Sequence, residues 1–174
     1  MRLIAAIVLY AALAAAPSGH VRADETQARE TELGAVTNLP IPRYVSLRSS
    51  EINVRRGPGL DYRKDWIFQR AGLPVRVVDE YGDWRRIIDK DDAGGWVYHA
   101  MITGRRTVLI TADDVIFREN PAETSAATAR AERGVVARLR ACEALWCEVE
   151  SGGHEGWVQK SAIWGVDAEE LFAK

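Results

Sequence analysis

Beyond about residue 43 the chain alternates apolar and polar residues in short runs, the period-two pattern of half-buried strands. Ile52 and Val54 lie between polar neighbours, and Val115 and Phe117 repeat the spacing. Val75-Arg-Val-Val-Asp and Trp84-Arg-Arg-Ile-Ile flank Glu80-Tyr-Gly-Asp83, which reads as a hairpin. Gly57-Pro58-Gly59 fits no strand or helix interior and marks a loop. Only Val166 to Lys174 has room for a short amphipathic or frayed helix.

The same statements are made twice. Arg43-Tyr-Val-Ser-Leu returns 63 residues later as Arg106-Thr-Val-Leu-Ile, and Glu51-Ile-Asn-Val-Arg-Arg-Gly-Pro returns at the same offset as Asp114-Val-Ile-Phe-Arg-Glu-Asn-Pro. Gly72-Leu-Pro-Val-Arg-Val-Val followed by Trp84 becomes Gly134-Val-Val-Ala-Arg-Leu-Arg followed by Trp146 at offset 62. Gly95-Trp-Val-Tyr-His-Ala-Met-Ile becomes Gly156-Trp-Val-Gln-Lys-Ser-Ala-Ile at offset 61. The offset shrinks only between blocks, where loops absorb deletions. About five short strands in each unit predict a small barrel, and two in tandem. The expected boundaries are 44–103 and 104–166, with a tail over 167–174.

The N-terminus has a different pattern. Arg2 precedes an apolar run from Leu3 to Ala16, then Pro17 and Gly19, then Val21-Arg-Ala23 with small residues at −3 and −1 of a cleavage site. Residues 1–23 therefore read as a secretory signal peptide, and a run of 14 residues is short for a membrane span. Residues 24–43 are polar and aperiodic and read as a linker. Its Leu39-Pro-Ile-Pro42 end is an extended lead-in or a ligand for another protein's groove. Removing Arg2 and Arg22 with the leader moves the net charge from −2 to −4. Such a balance argues against a non-specific nucleic-acid binder, which needs a basic surplus. Three histidines and two cysteines in the whole chain leave little for a zinc or haem site, and no cofactor is expected.

Ile52-Asn-Val-Arg-Arg-Gly-Pro-Gly59, then Gly82-Asp-Trp84, then Gly94-Gly-Trp-Val97 resembles bacterial SH3-like (SH3b) domains. The second copy keeps Trp146 and Gly156-Trp-Val158 but departs from the glycine pattern at Phe117-Arg-Glu-Asn-Pro121. The resemblance implies an all-β fold of two tandem small SH3-like barrels. It also implies a non-catalytic exported module associated with the cell envelope, binding peptidoglycan or peptides.

Duplication provides an internal control. Residues kept in both copies serve the shared fold, and residues present once are free to serve binding. Trp84/Trp146 and Trp96/Trp157 are accordingly expected to plug the barrels. Tyr62, Trp66 and Phe68 have Thr124, Thr128 and Arg130 as counterparts. With Arg55 and Arg56 they form a candidate aromatic groove for an extended peptide; the alternatives are that they cover an interface between barrels or cap the first core. Trp164 also stands alone, opposite Thr103, and is expected to pack the C-terminal edge. Cys142 and Cys147 flank a predicted turn at positions matching Glu80 and Arg85, a pairing that suits a cross-strand disulfide; a C-x4-C redox or metal pair is the rival. His99 and His154 sit at non-equivalent positions and read as surface residues, and Asp89, Asp91 and Asp92 read as a solvated turn. The expected protein is a monomer that binds a cell-wall peptide or an envelope protein. A scaffold with its aromatics between the barrels is the alternative, and a cysteine hydrolase is the remote one.

Overall fold

The structure, a computed structural model, describes residues 32–173. The segment read as a signal peptide lies outside the described residues, as do residues 24–31 of the expected linker. The remainder of that linker is not aperiodic. β1 (Glu32–Leu33) and β2 (Pro40–Ile41) pair antiparallel, and Ile41 is buried in the first core.

The first barrel comprises β3 (Arg43–Leu47), β4 (Ile52–Arg55), β5 (Lys64–Phe68), β6 (Pro74–Tyr81), β7 (Trp84–Ile88), β8 (Gly94–Tyr98) and β9 (Ile102–Thr103). The second comprises β10 (Thr107–Ile110), β11 (Val115–Arg118), β12 (Ala127–Ala131), β13 (Val136–Cys142), β14 (Trp146–Ser151), β15 (His154–Gln159) and β16 (Ile163–Trp164). The strand orders, β5-β4-β8-β7-β6-β3-β9 and β12-β11-β15-β14-β13-β10-β16, match element for element. The protein is therefore all-β, with two like units in tandem. Each sheet has two strands more than the pattern predicts, because strands as short as β9 leave no alternation to read.

Each core forms where alternate side chains point inward. Ile52 and Val54 meet Val75, Val77, Ile87 and Val97 in the first barrel, while Val115 and Phe117 meet Leu139, Val149 and Val158 in the second. The tryptophans do not plug the barrels. Trp84, Trp96, Trp146 and Trp157 are half-buried and lie on the outward face, because their neighbours Arg85, Val97, Cys147 and Val158 take the inward positions. The glycine of each Gly-Trp-Val is inward too. A Cβ on Gly95 would come within 2.7 Å of the Arg55 carbonyl, and one on Gly156 within 2.8 Å of Phe117 Cβ. Only glycine lets these strands cross so closely.

Glu80 pairs across strands with Arg85, and Cys142 pairs in the same place with Cys147, joined by a disulfide. All four are buried. The disulfide closes a very short loop and contributes about 2 kcal/mol by chain entropy.

The chain's described ends cover these two positions. The turn between β1 and β2 wraps the Glu80 carboxylate, with the Val36 and Thr37 amides donating at 3.1 and 2.8 Å and the Thr37 hydroxyl at 2.7 Å. At the other end no helix forms over 166–173. Phe172 instead bridges antiparallel to Cys142, and Glu170 accepts two bonds from Arg106. The tail's apolar residues are too few to bury a helical face.

Between the barrels, the Ser46 and Thr107 hydroxyls lie 2.6 Å apart, one donating to the other, with the Arg105 and Gly72 carbonyls each 2.6 Å from its own hydroxyl. Trp164 does not stay at its own edge; its ring meets Tyr44 of the first barrel edge-on at 5.3 Å.

Candidate functional site

Because the core pairs fix the inward phase of β6, β7 and β8, the residues beside them form rows on the outer face. Tyr81 lies opposite Trp84, and Trp84 opposite Tyr98, in one continuous row across three strands. Trp84 and Tyr98 contact edge-on at 5.8 Å, and the His99 ring lies 4.7 Å beyond Tyr98. Tyr81 and Tyr98 are 66% and 39% exposed, which makes this an aromatic shelf facing solvent. The next row runs Arg86, Trp96, Arg55. In the second barrel the equivalent first row is Glu143, Trp146, Gln159, so the tryptophan is kept and both tyrosines are lost.

The five residues singled out from the sequence lie on β4, on β5 and in the segment between them. Trp66 and Phe68 lie opposite Val54 and Ile52 and pack on the first core, 6.3 Å apart and edge-on. They close the end of the barrel, the capping alternative. Trp66→Ala is expected to lower stability by about 2 kcal/mol in urea unfolding, because it opens a half-buried cavity at the core's edge.

Arg55 donates to the Leu60 and Tyr62 carbonyls at 2.8 and 2.7 Å, and Arg118 does the same for Ser125 in the second copy. Both arginines staple their own loop. Arg56 lies 3.5 Å from Asp65, which also takes Arg63 at 2.6 Å. The Tyr62 ring lies on Gly57, where any Cβ would collide with it. The second copy has Thr124 in place of Tyr62 and so has no need of the glycine, which explains its departure from the Gly-Pro-Gly pattern.

His99 and His154 are exposed, each in its own barrel. Asp89 accepts the Asp91 and Ala93 amides and so builds a turn. Both cysteines, Cys142 and Cys147, are joined in the disulfide. Among the described residues no helix is long and apolar enough to cross a membrane.

The outer row was legible only in part. Tyr81-Gly-Asp-Trp84 marks a tight hairpin whose flanks must pair, but Tyr98 joins through the register of β8. A model of the bacterial SH3 domain matches residues 48–104 and again 111–165. A search of curated proteins finds no match. Among solved structures, NlpC2 from Trichomonas vaginalis aligns over 72% of this chain and 50% of that one, with 9% identity and a TM-score of 0.33. The chain thus spans about half the length of that structure. With more than half its length matched, in two copies that each fall within one barrel and its flanks and leave out only its first strand, the chain belongs to the bacterial SH3 domain family.

Proposed function

We propose that this is an exported, non-catalytic module that binds a cell-envelope ligand, peptidoglycan or an extended peptide, through the first barrel. The family's members are typically binding modules, and a buried disulfide suits an oxidising compartment outside the cytoplasm. The observation that carries the reading is the exposed row Tyr81, Trp84, Tyr98, present in one copy only. Flat aromatic faces at a solvent boundary stack on sugar rings or prolyl and alkyl groups at small entropic cost. On this reading the ligand surface lies here, beside Arg86, Trp96 and Arg55, while Trp66 and Phe68 pack partly against the first core. Tyr62, half-exposed over the Gly57 loop, and Arg56 remain at the margin of the same barrel.

In a co-sedimentation assay with isolated peptidoglycan sacculi, the Tyr81→Ala/Tyr98→Ala double variant is expected to bind about tenfold more weakly with an unchanged urea midpoint. Equal retention of both forms would remove the shelf from the reading. Capture of neither form would direct the search to an envelope protein, with the barrels serving as a scaffold. The contacts between barrels in that case are those of Tyr44, Ser46, Thr107 and Trp164 already described.

A further inference from the structure

The junction of the two barrels holds a polar hollow of about 400 Å³, within the size range of ligand sites. One wall is the end of β3, from Ser46 to Arg48, and another is the turn at Gly72. Thr103 of β9, Arg105 of the link between barrels and Thr107 of β10 complete it, so both barrels contribute. Its floor is the buried hydroxyl pair of Ser46 and Thr107. The two hydroxyl protons are engaged within that pair and by the Arg105 and Gly72 carbonyls, which leaves recognition of a ligand to the arginines.

The charge of this lining has one sign. Arg48 and Arg105 are exposed, and no carboxylate lines the hollow. Neither guanidinium has an ion-pair partner among the described residues. Arg48 Nη2 donates to the Ile102 carbonyl at 3.4 Å, a long bond to a neutral acceptor. The equivalent corner of the second barrel is a hollow of about 240 Å³ and shows the contrast. Its cations, Lys90 and Arg133, are each matched by an aspartate, Asp91 and Asp113. Thr111 stands where Arg48 does and Val166 where Arg105 does, while Trp164 takes the place of Thr103. Arg55 and Arg118, which staple their loops, are kept in both copies. Arg48 and Arg105 are not, so the shared fold does not require them.

We propose that the hollow between the barrels binds a small phosphate ester. Two guanidiniums match the charge of a phosphate monoester, about −2 at neutral pH. Their planar forks present paired donors to its oxygens, and such charge-assisted bonds are the strong ones. A phosphate group by itself is smaller than the hollow, so room remains beside Gly72 and Thr103 for a short polar body. The recess is concave and the whole chain carries a net charge of −2, which favours a free anion in solution over an anionic surface. The site shares no residue with the aromatic shelf of the first barrel.

The test is a calorimetric titration of the full chain with glycerol 3-phosphate at low salt, with glycerol as the uncharged control. Glycerol 3-phosphate is expected to bind saturably at one site and glycerol to give no binding heat. Arg48→Gln and Arg105→Gln should each weaken binding about tenfold. Both side chains are exposed, so the urea midpoint of each variant should equal the parent's. Arg63→Gln, which removes the same charge outside the hollow, should leave the affinity unchanged. Absence of saturable binding, equal binding by the Arg48→Gln/Arg105→Gln double variant, or an equal loss in Arg63→Gln would each overturn the proposal.

Discussion

Glu80→Gln lowers the unfolding free energy by about 3 kcal/mol and releases the β1–β2 hairpin from the barrel. The side chain is wholly buried and takes Arg43 at 2.7 Å and Arg85 at 3.5 Å, besides the Val36 and Thr37 donors. A neutral amide keeps the shape but leaves the guanidinium of Arg85, itself buried, without its counter-charge. It also presents an NH2 group to donors that needed an acceptor. Urea unfolding gives the loss, and hydrogen exchange at the Val36 and Thr37 amides reports the detached hairpin.

The same carboxylate sets an acid limit. Burial by itself would raise its pKa; the Thr37 hydroxyl and amide, the Arg43 guanidinium and the Val36 amide outweigh that and lower it to about 2. A folded-state value below the unfolded 4.5 means that the unfolded chain binds the proton first. The stabilisation is therefore complete above about pH 4.5 and is lost as the pH falls towards 2, a difference of about 3 kcal/mol. Glu170, lowered in spite of its burial by Arg106 and the Asp167 amide, adds to the same slope. In Glu80→Gln the steep part of the acid profile should flatten. A profile identical to the parent's would mean that the clasp contributes nothing.

Arg106→Ala is the second large effect, about 3 kcal/mol, and it changes the number of transitions as well as their position. The guanidinium grips Glu170 at 2.6 and 3.0 Å and the Gly165 carbonyl at 2.8 Å, and it stacks on Tyr44 and Phe172 at 5.6 and 5.8 Å. One side chain thus ties the tail, the second barrel and a ring of the first barrel. Calorimetry should show the parent melting cooperatively and the variant in two steps, the tail amides exchanging fast in the variant. A single transition, displaced by less than a degree or two, would show that the barrels are held without Arg106, by contacts such as those of Ser46, Thr107, Trp164 and the Arg70 bond to the Gly134 carbonyl.

The tandem organisation was plain in the sequence because the four blocks keep their order and nearly their spacing, which no surface constraint demands. The pairing of Cys142 with Cys147 was legible for a related reason, since the matching Glu80 and Arg85 reported the same geometry in a second chemistry. That pair also contained the correction to the tryptophans. Arg85 and Cys147 face inward, so Trp84 and Trp146 beside them must face outward. Size and hydrophobicity favoured the indoles for the core, whereas strand parity assigned it to the smaller Val97 and Val158. Trp66 and Phe68 were placed on one strand face correctly, but which face was fixed by the β4–β5 register. The β1–β2 hairpin had no local signal, because its strands of two residues are held by a carboxylate more than forty positions away. The hollow between the barrels was hidden for the same reason, its walls coming from the end of β3, the turn at Gly72 and the link at Arg105.

Two adjacent units of like sequence run a particular risk while folding, since strands of one can be taken up by the other. The inward pairs guard against it. If β6 paired with β14, Glu80 would lie opposite Cys147; if β13 paired with β7, Cys142 would lie opposite Arg85. Either exchange buries a charge without its counterpart and leaves a thiol unable to cross-link, a penalty of several kcal/mol at each site. Glutamate with arginine in one copy and cysteine with cysteine in the other act as a pair of mismatched keys, so each strand is accepted only by the barrel it came from.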